Sequence, residues 1–139
     1  MKIEICSRPM LKQIVSSDII FPDEALIEIV SYELIDDPVF NHFSACLKLV
    51  FSDIEMPNHP DAMSELQAKQ IVDFVHSLDS NIENLIVSCE AGMSRSPAVA
   101  AAILYALGED DMRIWNNSAY SPNTYVYRKV LKAFGLDAS

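Results

Sequence analysis

Blocks of apolar residues recur along this chain, and their spacing changes between the period of a strand and that of a helix. IEIC near the start predicts a short strand, and Ala25 to Val30 predict a second one. From Phe43 to Phe51 the apolar residues occupy alternate positions, which predicts a third strand. Asn84 to Ser88 are apolar and rich in branched side chains, as is typical of a buried strand.

Helical signals fill the intervals between these strands. Ser7 can cap a helix that starts at Arg8, because Pro9 is tolerated in the first turn. Apolar residues from Leu66 to Leu78 mark one face of an amphipathic helix. Three more helices are expected: a buried one over Pro97 to Leu107 that Gly108 ends, one that starts at Asp110, and one from Val126 to Phe134 that Gly135 ends.

This order of elements predicts an α/β fold with a central, mostly parallel sheet of about four to five strands, flanked by helices. The 139 residues suffice for one domain and are too few for two of ordinary size. We therefore expect a single domain over residues 1–139. In this class of fold, ligands bind at the carboxyl ends of strands, where a loop leads into a helix.

The charge of the chain narrows the choice of partners. Twenty acidic and 10 basic residues give a formal net charge of −10. A surface of this sign repels nucleic acid and anionic membranes, so neither is expected as a partner. An anionic substrate must then be held by a local site that acts against the overall field. We expect the protein to be a monomer.

The cysteines and histidines do not form a metal-binding pattern. Cys6, Cys46 and Cys89 are an odd number without C-x-x-C spacing, and the three histidines are isolated. We expect no metal, no cofactor and no disulfide framework. The start of the chain lacks the apolar core of a signal peptide, and no apolar run is long enough to span a bilayer. These features predict a reduced, cytoplasmic protein.

Residues 89–96, CEAGMSRS, combine several chemical groups between the fourth strand and the next helix. Unpaired N–H groups and the helix dipole at a helix start attract an anion such as phosphate or sulfate. Gly92 permits a positive φ and a close approach of the backbone to the ligand. Arg95 offers a planar pair of donors that matches two phosphate oxygens. The same field favours the nucleophilic thiolate form of Cys89.

The sequence CEAGMSRSPA resembles the signature loop of cysteine-dependent protein phosphatases, in particular the compact dual-specificity phosphatases. The order of strands and helices fits that family over almost the whole chain. The resemblance implies a dual-specificity-phosphatase-like fold, hydrolysis of phosphate monoesters without a metal, and Cys89 as the nucleophile. It also implies that Ser96 helps the thiolate to leave in the second step. In the same way, the resemblance implies that the phosphoryl group is held by the Arg95 side chain and by the backbone amides of the loop. These amides belong to Glu90, Ala91, Gly92, Met93, Ser94 and Arg95.

Two supporting positions follow from the same resemblance. Pro122-Asn123 resembles a pair that occurs late in such domains, where the asparagine supports the loop. Capping of the last helix by Asn123 is an equally good and compatible explanation. Ser88 stands where the family usually has a histidine that organises the loop and activates the thiol. A serine can still donate a hydrogen bond, so the strength of activation stays open.

Two side chains within the loop need separate explanations. We expect the carboxylate of Glu90 to point away from the pocket, because an inward carboxylate would oppose both thiolate and phosphate. Met93 is expected to pack on the loop or line its rim.

In the family, the general acid is an aspartate on a mobile loop that precedes the signature strand. The corresponding segment here contains Asp53, Glu55, Asp61 and Glu65. We expect Asp53, because it directly follows the third strand and would point toward the strand ends where Cys89 lies. Asp61 is the alternative, although a carboxylate at the start of the next helix has a sufficient structural role. Glu55 is a further alternative, and Glu65 is expected to be solvated.

These assignments predict a hydrolase of phosphoproteins or small phosphoesters that acts through a cysteinyl-phosphate intermediate. The choice among phosphotyrosine, phosphoserine and phosphothreonine stays open, because loops that the sequence does not place form the rim of the pocket. Two alternatives remain. One is a catalytically weak module that binds phosphorylated partners, which Ser88 alone favours. The other is a different cysteine-loop enzyme, a sulfurtransferase or an arsenate reductase.

Overall fold

A computed structural model of the chain describes residues 1–16, 19–33 and 42–136. Strands and helices alternate through most of it, as the apolar pattern predicts. In chain order the elements are strand β1 (Lys2–Ser7), helix α1 (Arg8–Ile14), β2 (Phe21–Val30), β3 (Phe43–Val50), α2 (Glu65–Ser77), β4 (Asn84–Cys89), α3 (Arg95–Ala106), α4 (Met112–Trp115) and α5 (Thr124–Ala133).

The described strands form one sheet in the order β1-β4-β2-β3, and every neighbouring pair is parallel. The predicted α/β fold with a central parallel sheet is therefore confirmed, with four strands. The carboxyl ends of parallel strands meet at one edge of a sheet. Ser7 is in register with Cys89, and Glu28 is in register with Ser88. The segments that follow all four strands thus start from the same edge as the loop after Cys89.

Helix ends follow the capping signals in most cases. Ser7 accepts a hydrogen bond from the Met10 N–H at 3.3 Å and caps α1 as predicted. Gly108 and Gly135 have positive φ of 77° and 81° and follow the ends of α3 and α5. The fourth helix begins at Met112, two residues after its predicted start.

The start of α2 corrects one expectation. Its cap is Ser64, which exchanges hydrogen bonds with Gln67 at 3.1 and 3.0 Å in a reciprocal capping box. Asp61 therefore does not cap this helix, because it lies three residues before the capping serine. Ser64 therefore fills the capping role that the sequence suggested for Asp61.

Buried side chains pack on both faces of the sheet. Ile27, Leu85, Val87 and Cys89 belong to the larger cluster, with residues of α2, α3 and α5. Helix α3 is buried from its first residue through Leu104, as its apolar sequence predicts. On the other face, a smaller cluster joins α1 to the sheet through Cys6, Leu11, Leu26, Phe43 and Ile86. In the described part of the chain, no helix is long and apolar enough to cross a membrane.

Candidate active site

The loop over residues 89–95 leaves β4 at the carboxyl edge of the sheet and enters α3. Gly92 has a φ of 69°, and a Cβ at this position would approach the Ser7 nitrogen to 2.9 Å. Only glycine fits this backbone conformation and this close contact with the end of β1. The Arg8 N–H also donates a hydrogen bond to the Glu90 carbonyl at 3.2 Å. The junction of β1 and α1 therefore contacts the loop and supports it.

Cys89 is buried, with 3% of its surface exposed. Its sulfur accepts hydrogen bonds from the backbone N–H groups of Gly92 at 3.3 Å and Ser96 at 3.4 Å. The Ser96 hydroxyl lies 3.1 Å from the same sulfur. Hydrogen bonds donated to a sulfur favour its charged thiolate form. The loop thus gives the buried thiol polar partners that the apolar core around it does not provide.

Arg95 is the first residue of α3 and is only 6% exposed. Its Nη1 donates to the Ser31 hydroxyl at 3.0 Å and to the Phe51 carbonyl at 2.8 Å. These two partners directly follow β2 and β3. The guanidinium is therefore held through one nitrogen by the ends of two neighbouring strands. Among the described residues, its other nitrogens make no hydrogen bond, so they are available to an anion.

Glu90 corrects the expectation that its carboxylate points away from the pocket. Its Oε1 accepts a hydrogen bond from the Ser31 N–H at 3.2 Å, and its Oε2 lies 4.0 Å from Arg95 Nη2. The hydrogen bond from Ser31 lowers the pKa of Glu90 most, and the charge of Arg95 acts in the same direction, against partial burial. The donor at the end of β2 and the guanidinium together explain why the carboxylate turns inward.

Asp53 and Asn123 meet at the side of the loop. Asp53 Oδ1 accepts hydrogen bonds from the Ser94 hydroxyl at 2.9 Å and from Asn123 Nδ2 at 2.8 Å. The buried Asn123 also caps α5 by accepting the Val126 N–H at 3.0 Å, and its own N–H donates to the Ser94 carbonyl at 3.1 Å. Support of the loop and capping of the helix, the two explanations for Asn123, are therefore present together.

The remaining acidic candidates lie in other surroundings. Glu55 accepts hydrogen bonds from the backbone N–H of Thr124 at 3.0 Å and from its hydroxyl at 3.2 Å, so it fixes the start of α5. Glu65 is exposed on the first turn of α2. Asp61 is exposed as well and lines a cavity beside Ser31. Of the four carboxylates, Asp53 is the one hydrogen-bonded to a side chain of the loop.

Ser88 and Met93 differ in exposure to solvent. Met93 is exposed on the rim, and its carbonyl accepts the Ser121 N–H at 2.8 Å. Ser88 is fully buried and lies beside Cys6, its partner in register on β1. None of the hydrogen bonds found in the described residues joins the Ser88 hydroxyl to the loop. Ser88 therefore does not organise the loop through a hydrogen bond, as the histidine usual at this position in the family is expected to do.

Sequence reasoning missed the residues that anchor Arg95. Ser31 and the Phe51 carbonyl were not among the candidate residues, although each directly follows a strand. A usable signal existed, because Ser31 comes just after the predicted end of a parallel strand, where ligands usually bind. The Ser94 side chain, which joins the loop to Asp53, carried no comparable signal. Over residues 1–16, 19–33 and 42–136, no cluster of His, Cys, Asp or Glu side chains could hold a metal ion.

No protein-family model and no curated protein matches this sequence. Solved structures do resemble the chain. PTPMT1 in complex with PI(5)P is 13% identical, with a TM-score of 0.59 over 96% of this chain and 90% of that protein. DUSP15 is 17% identical, with a TM-score of 0.62 over 95% and 82%. The Yvh1 phosphatase domain from Chaetomium thermophilum is 18% identical, with a TM-score of 0.50 over 78% and 77%.

These three proteins are dual-specificity or tyrosine phosphatases, and this chain has their fold. The resemblance inferred from CEAGMSRSPA is thereby confirmed at the level of the fold. Identities of 13 to 18% define a fold and not an activity. The function must therefore be argued from the residues around Cys89.

Proposed function

We propose that this protein is a phosphate monoester hydrolase that forms a cysteinyl-phosphate intermediate, with a phosphorylated protein as its expected substrate. One observation carries the proposal: two backbone N–H groups and the Ser96 hydroxyl surround the sulfur of Cys89 within 3.4 Å. A buried cysteine with a purely structural role needs no such donors. The fold shared with known phosphatases supports the same conclusion.

In the first step, the Cys89 thiolate attacks phosphorus in line with the ester oxygen. The S–P bond forms while the P–O ester bond breaks. The Arg95 nitrogens that make no hydrogen bond with the described residues, together with the amides of residues 90–95, stabilise the negative charge on the three equatorial oxygens. Anchoring of Arg95 by Ser31 and Phe51 supports this role, because it fixes the guanidinium before substrate arrives.

Asp53 is the proposed general acid. In the first step its carboxylic acid gives a proton to the departing ester oxygen, and the resulting carboxylate takes a proton from water in the second step. Its Oδ1 is held by Ser94 and Asn123, which leaves Oδ2 to carry the proton. The hydrogen bond to Ser94 supports this assignment, because it joins the acid to the loop that would hold the phosphoryl group.

In the second step, water attacks phosphorus and the S–P bond breaks. The sulfur leaves as a thiolate, and inorganic phosphate is released. The Ser96 hydroxyl, 3.1 Å from the sulfur, can donate a hydrogen bond to the departing thiolate. A cytoplasmic location and a monomeric state belong to the proposal as well. The three cysteines are free, as a reducing compartment requires.

The test is to trap the intermediate. Wild-type protein is mixed with ³²P-labelled substrate and quenched in acid, and the labelled peptide is identified by mass spectrometry. We expect phosphate on Cys89, and none in the Cys89→Ser variant. A folded wild-type protein that binds phosphate without labelling would favour the phosphate-binding module. Turnover of arsenate or thiosulfate above that of an aryl phosphate would instead favour the other cysteine-loop enzymes.

A further inference from the structure

A cavity lies directly beside the residues that anchor Arg95. It has a volume of about 450 Å³ and lies between the ends of β2 and β3 and the start of α2. Ser31 and Phe51, the two partners of the Arg95 guanidinium, form one end of it. A group bound in this cavity would therefore be a close neighbour of a phosphate held by Arg95.

The charge at the wall of the cavity is negative. Of the described residues that line it, Asp61 is the one that is charged, and the others are apolar or uncharged. No described residue donates a hydrogen bond to the Asp61 carboxylate. The Asp61 N–H donates to His59 Nδ1 at 3.1 Å, so this histidine contacts the backbone of Asp61. Asp61 thus brings a carboxylate that no described residue binds to the wall of a space of about 450 Å³.

A second carboxylate lies next to the cavity, because Glu90 contacts Ser31, which lines the end near Arg95. Glu90 is bound to the Ser31 N–H, and 47% of its side chain is exposed. Its lowered pKa, caused first by the hydrogen bond from Ser31, keeps it ionised at neutral pH. Glu55, which follows β3, is also exposed. Carboxylates therefore predominate around the proposed phosphate site.

Basic side chains are scarce in the same region. The sequence contains no lysine or arginine between Lys48 and Lys69, or between Lys69 and Arg95. Arg95 is consequently the one lysine or arginine in residues 51–68 and 90–95, which follow β3 and β4. Arg8, beside the loop, forms an ion pair with the buried Glu28 at 2.9 Å. A second phosphate near the one on Arg95 would meet carboxylates instead of a cation.

We propose that the substrate is a phosphoprotein segment with lysine or arginine next to the phosphorylated residue, and that this basic side chain occupies the cavity beside Asp61 and Glu90. This inference rests on the proposed function. A lysine or arginine has an apolar stem for the uncharged walls and a charged end for the carboxylates. Opposite charge beside the phosphate site favours this partner, and polyanions such as phosphoinositides are disfavoured.

The experiment compares three phosphotyrosine peptides that differ in having lysine, alanine or glutamate on both sides of the phosphorylated residue. Exposed ion pairs are worth little each, so we expect kcat/KM to be about tenfold higher for the lysine peptide than for the glutamate peptide at low salt. The ratio should fall as ionic strength rises, because salt screens exposed charges. PI(5)P in detergent micelles serves as a polyanionic comparison and should be hydrolysed more slowly than the lysine peptide.

Two variants locate the effect. Asp61→Asn should lower the preference for lysine about threefold, because one carboxylate of the cavity loses its charge. The matched control is Glu109→Gln, an exposed carboxylate beyond the end of α3, whose 12 residues place it about 18 Å from the loop. This control removes the same charge from the whole protein and should leave the ratio unchanged. A purely structural effect of Asp61→Asn would slow all three peptides equally.

Two failures can be told apart. If wild-type protein hydrolyses p-nitrophenyl phosphate but the peptides are equal, or glutamate or PI(5)P is preferred, the inference is wrong and the proposed function stands. If it hydrolyses no phosphoester, the proposed function fails. Binding of the same peptides to the Cys89→Ser variant then decides the inference independently of turnover. The same order of affinities would support the basic subsite, and equal affinities would overturn it.

Discussion

Cys6 and Cys89 lie near the carboxyl ends of neighbouring parallel strands, and both are buried, with 8% and 3% of their surfaces exposed. Their surroundings differ because the two side chains lie on opposite faces of the sheet. Burial raises the pKa of the Cys6 thiol to about 11, although the neighbouring Ser88 hydroxyl acts in the opposite direction. The sulfur of Cys89 instead accepts hydrogen bonds from Gly92 and Ser96.

The two cysteines separate the effect of burial on a thiol from the effect of hydrogen bonds donated to its sulfur. Removal of water disfavours a thiolate, and Cys6 shows this effect. A loop that turns its N–H groups toward the sulfur replaces the lost water with fixed donors. Sequence position near a strand end is common to both cysteines. The loop that follows Cys89 is what distinguishes the proposed nucleophile.

The largest expected difference is in catalysis. Cys89→Ser should reduce kcat/KM by about 10⁴-fold or more, because the loop cannot ionise a hydroxyl at neutral pH. Cys6→Ser should change kcat/KM by less than about threefold, since its side chain lies on the other face of the sheet. Both are measured with p-nitrophenyl phosphate, and circular dichroism checks the fold. Appreciable turnover by a purified Cys89→Ser protein would rule out the covalent mechanism.

The second prediction concerns Arg95, the proposed ligand of the phosphoryl group. Arg95→Lys should lower kcat/KM by about 10³-fold, nearly as much as Arg95→Ala. A lysine keeps the charge, but one ammonium group cannot bind Ser31, the Phe51 carbonyl and two phosphate oxygens together. If the lysine variant retains most of the activity, Arg95 acts only as a general positive charge and the two-donor geometry is wrong.

The third prediction tests the acid. Asp53→Asn should slow alkyl phosphates about 10²-fold and activated aryl phosphates much less, because only a poor leaving group needs a proton. An acid must be protonated to act, so the rate of the wild type should fall as pH rises. The variant should lack this basic limb. Glu55→Gln is the matched control, since it lies in the same segment and keeps an oxygen acceptor for Thr124. Loss of the basic limb in that control would move the acid to Glu55.

Much of the fold follows from the sequence because the sheet is parallel and buried. Central parallel strands read as short apolar runs, and capping residues mark helix ends, so Asn84–Cys89 and α1 were predicted closely. The proposed nucleophile and arginine could be found for a similar reason, because they lie within eight consecutive residues of one loop. Local patterns of this kind are visible without knowledge of the tertiary structure.

The rest of the site depends on strand order, which the sequence does not state. Ser31 and Phe51 reach Arg95 because β2 and β3 lie on the same side of β4. The inward turn of Glu90 depends on the same arrangement, since its donor is the Ser31 N–H. Repulsion from thiolate and phosphate is visible in the sequence of the loop, whereas the Ser31 N–H and the Arg95 guanidinium come near the carboxylate only in the folded chain.

The fourth prediction measures the two thiols directly. At pH 7, a thiol with a pKa of about 11 is ionised in about one molecule in 10⁴. Iodoacetamide should therefore modify Cys89 at least about tenfold faster than Cys6 in the folded protein. Phosphate should protect Cys89 and leave Cys46 unaffected. Mass spectrometry gives the rate at each cysteine, and equal rates at all three would contradict the comparison.

The smallest expected effect concerns Ser88, which lies between the two cysteines. Its hydroxyl is fully buried beside Cys6 and makes no hydrogen bond of good geometry with the described residues. Ser88→Ala should therefore change the free energy of unfolding by less than about 1 kcal/mol, because little polar interaction is lost. The alkylation rate of Cys89 should stay within about twofold of the wild type, since no hydrogen bond joins this hydroxyl to the loop.

Ser88→His is a less direct probe of the same position. A histidine there would have to enlarge a fully buried site, at a cost of about 1–3 kcal/mol in the free energy of unfolding. Any change in the reactivity of Cys89 would then mix activation with distortion of β4. The alanine variant avoids this problem. A marked loss of Cys89 alkylation in Ser88→Ala, with the fold intact, would show that the serine activates the thiol through a contact other than a direct hydrogen bond.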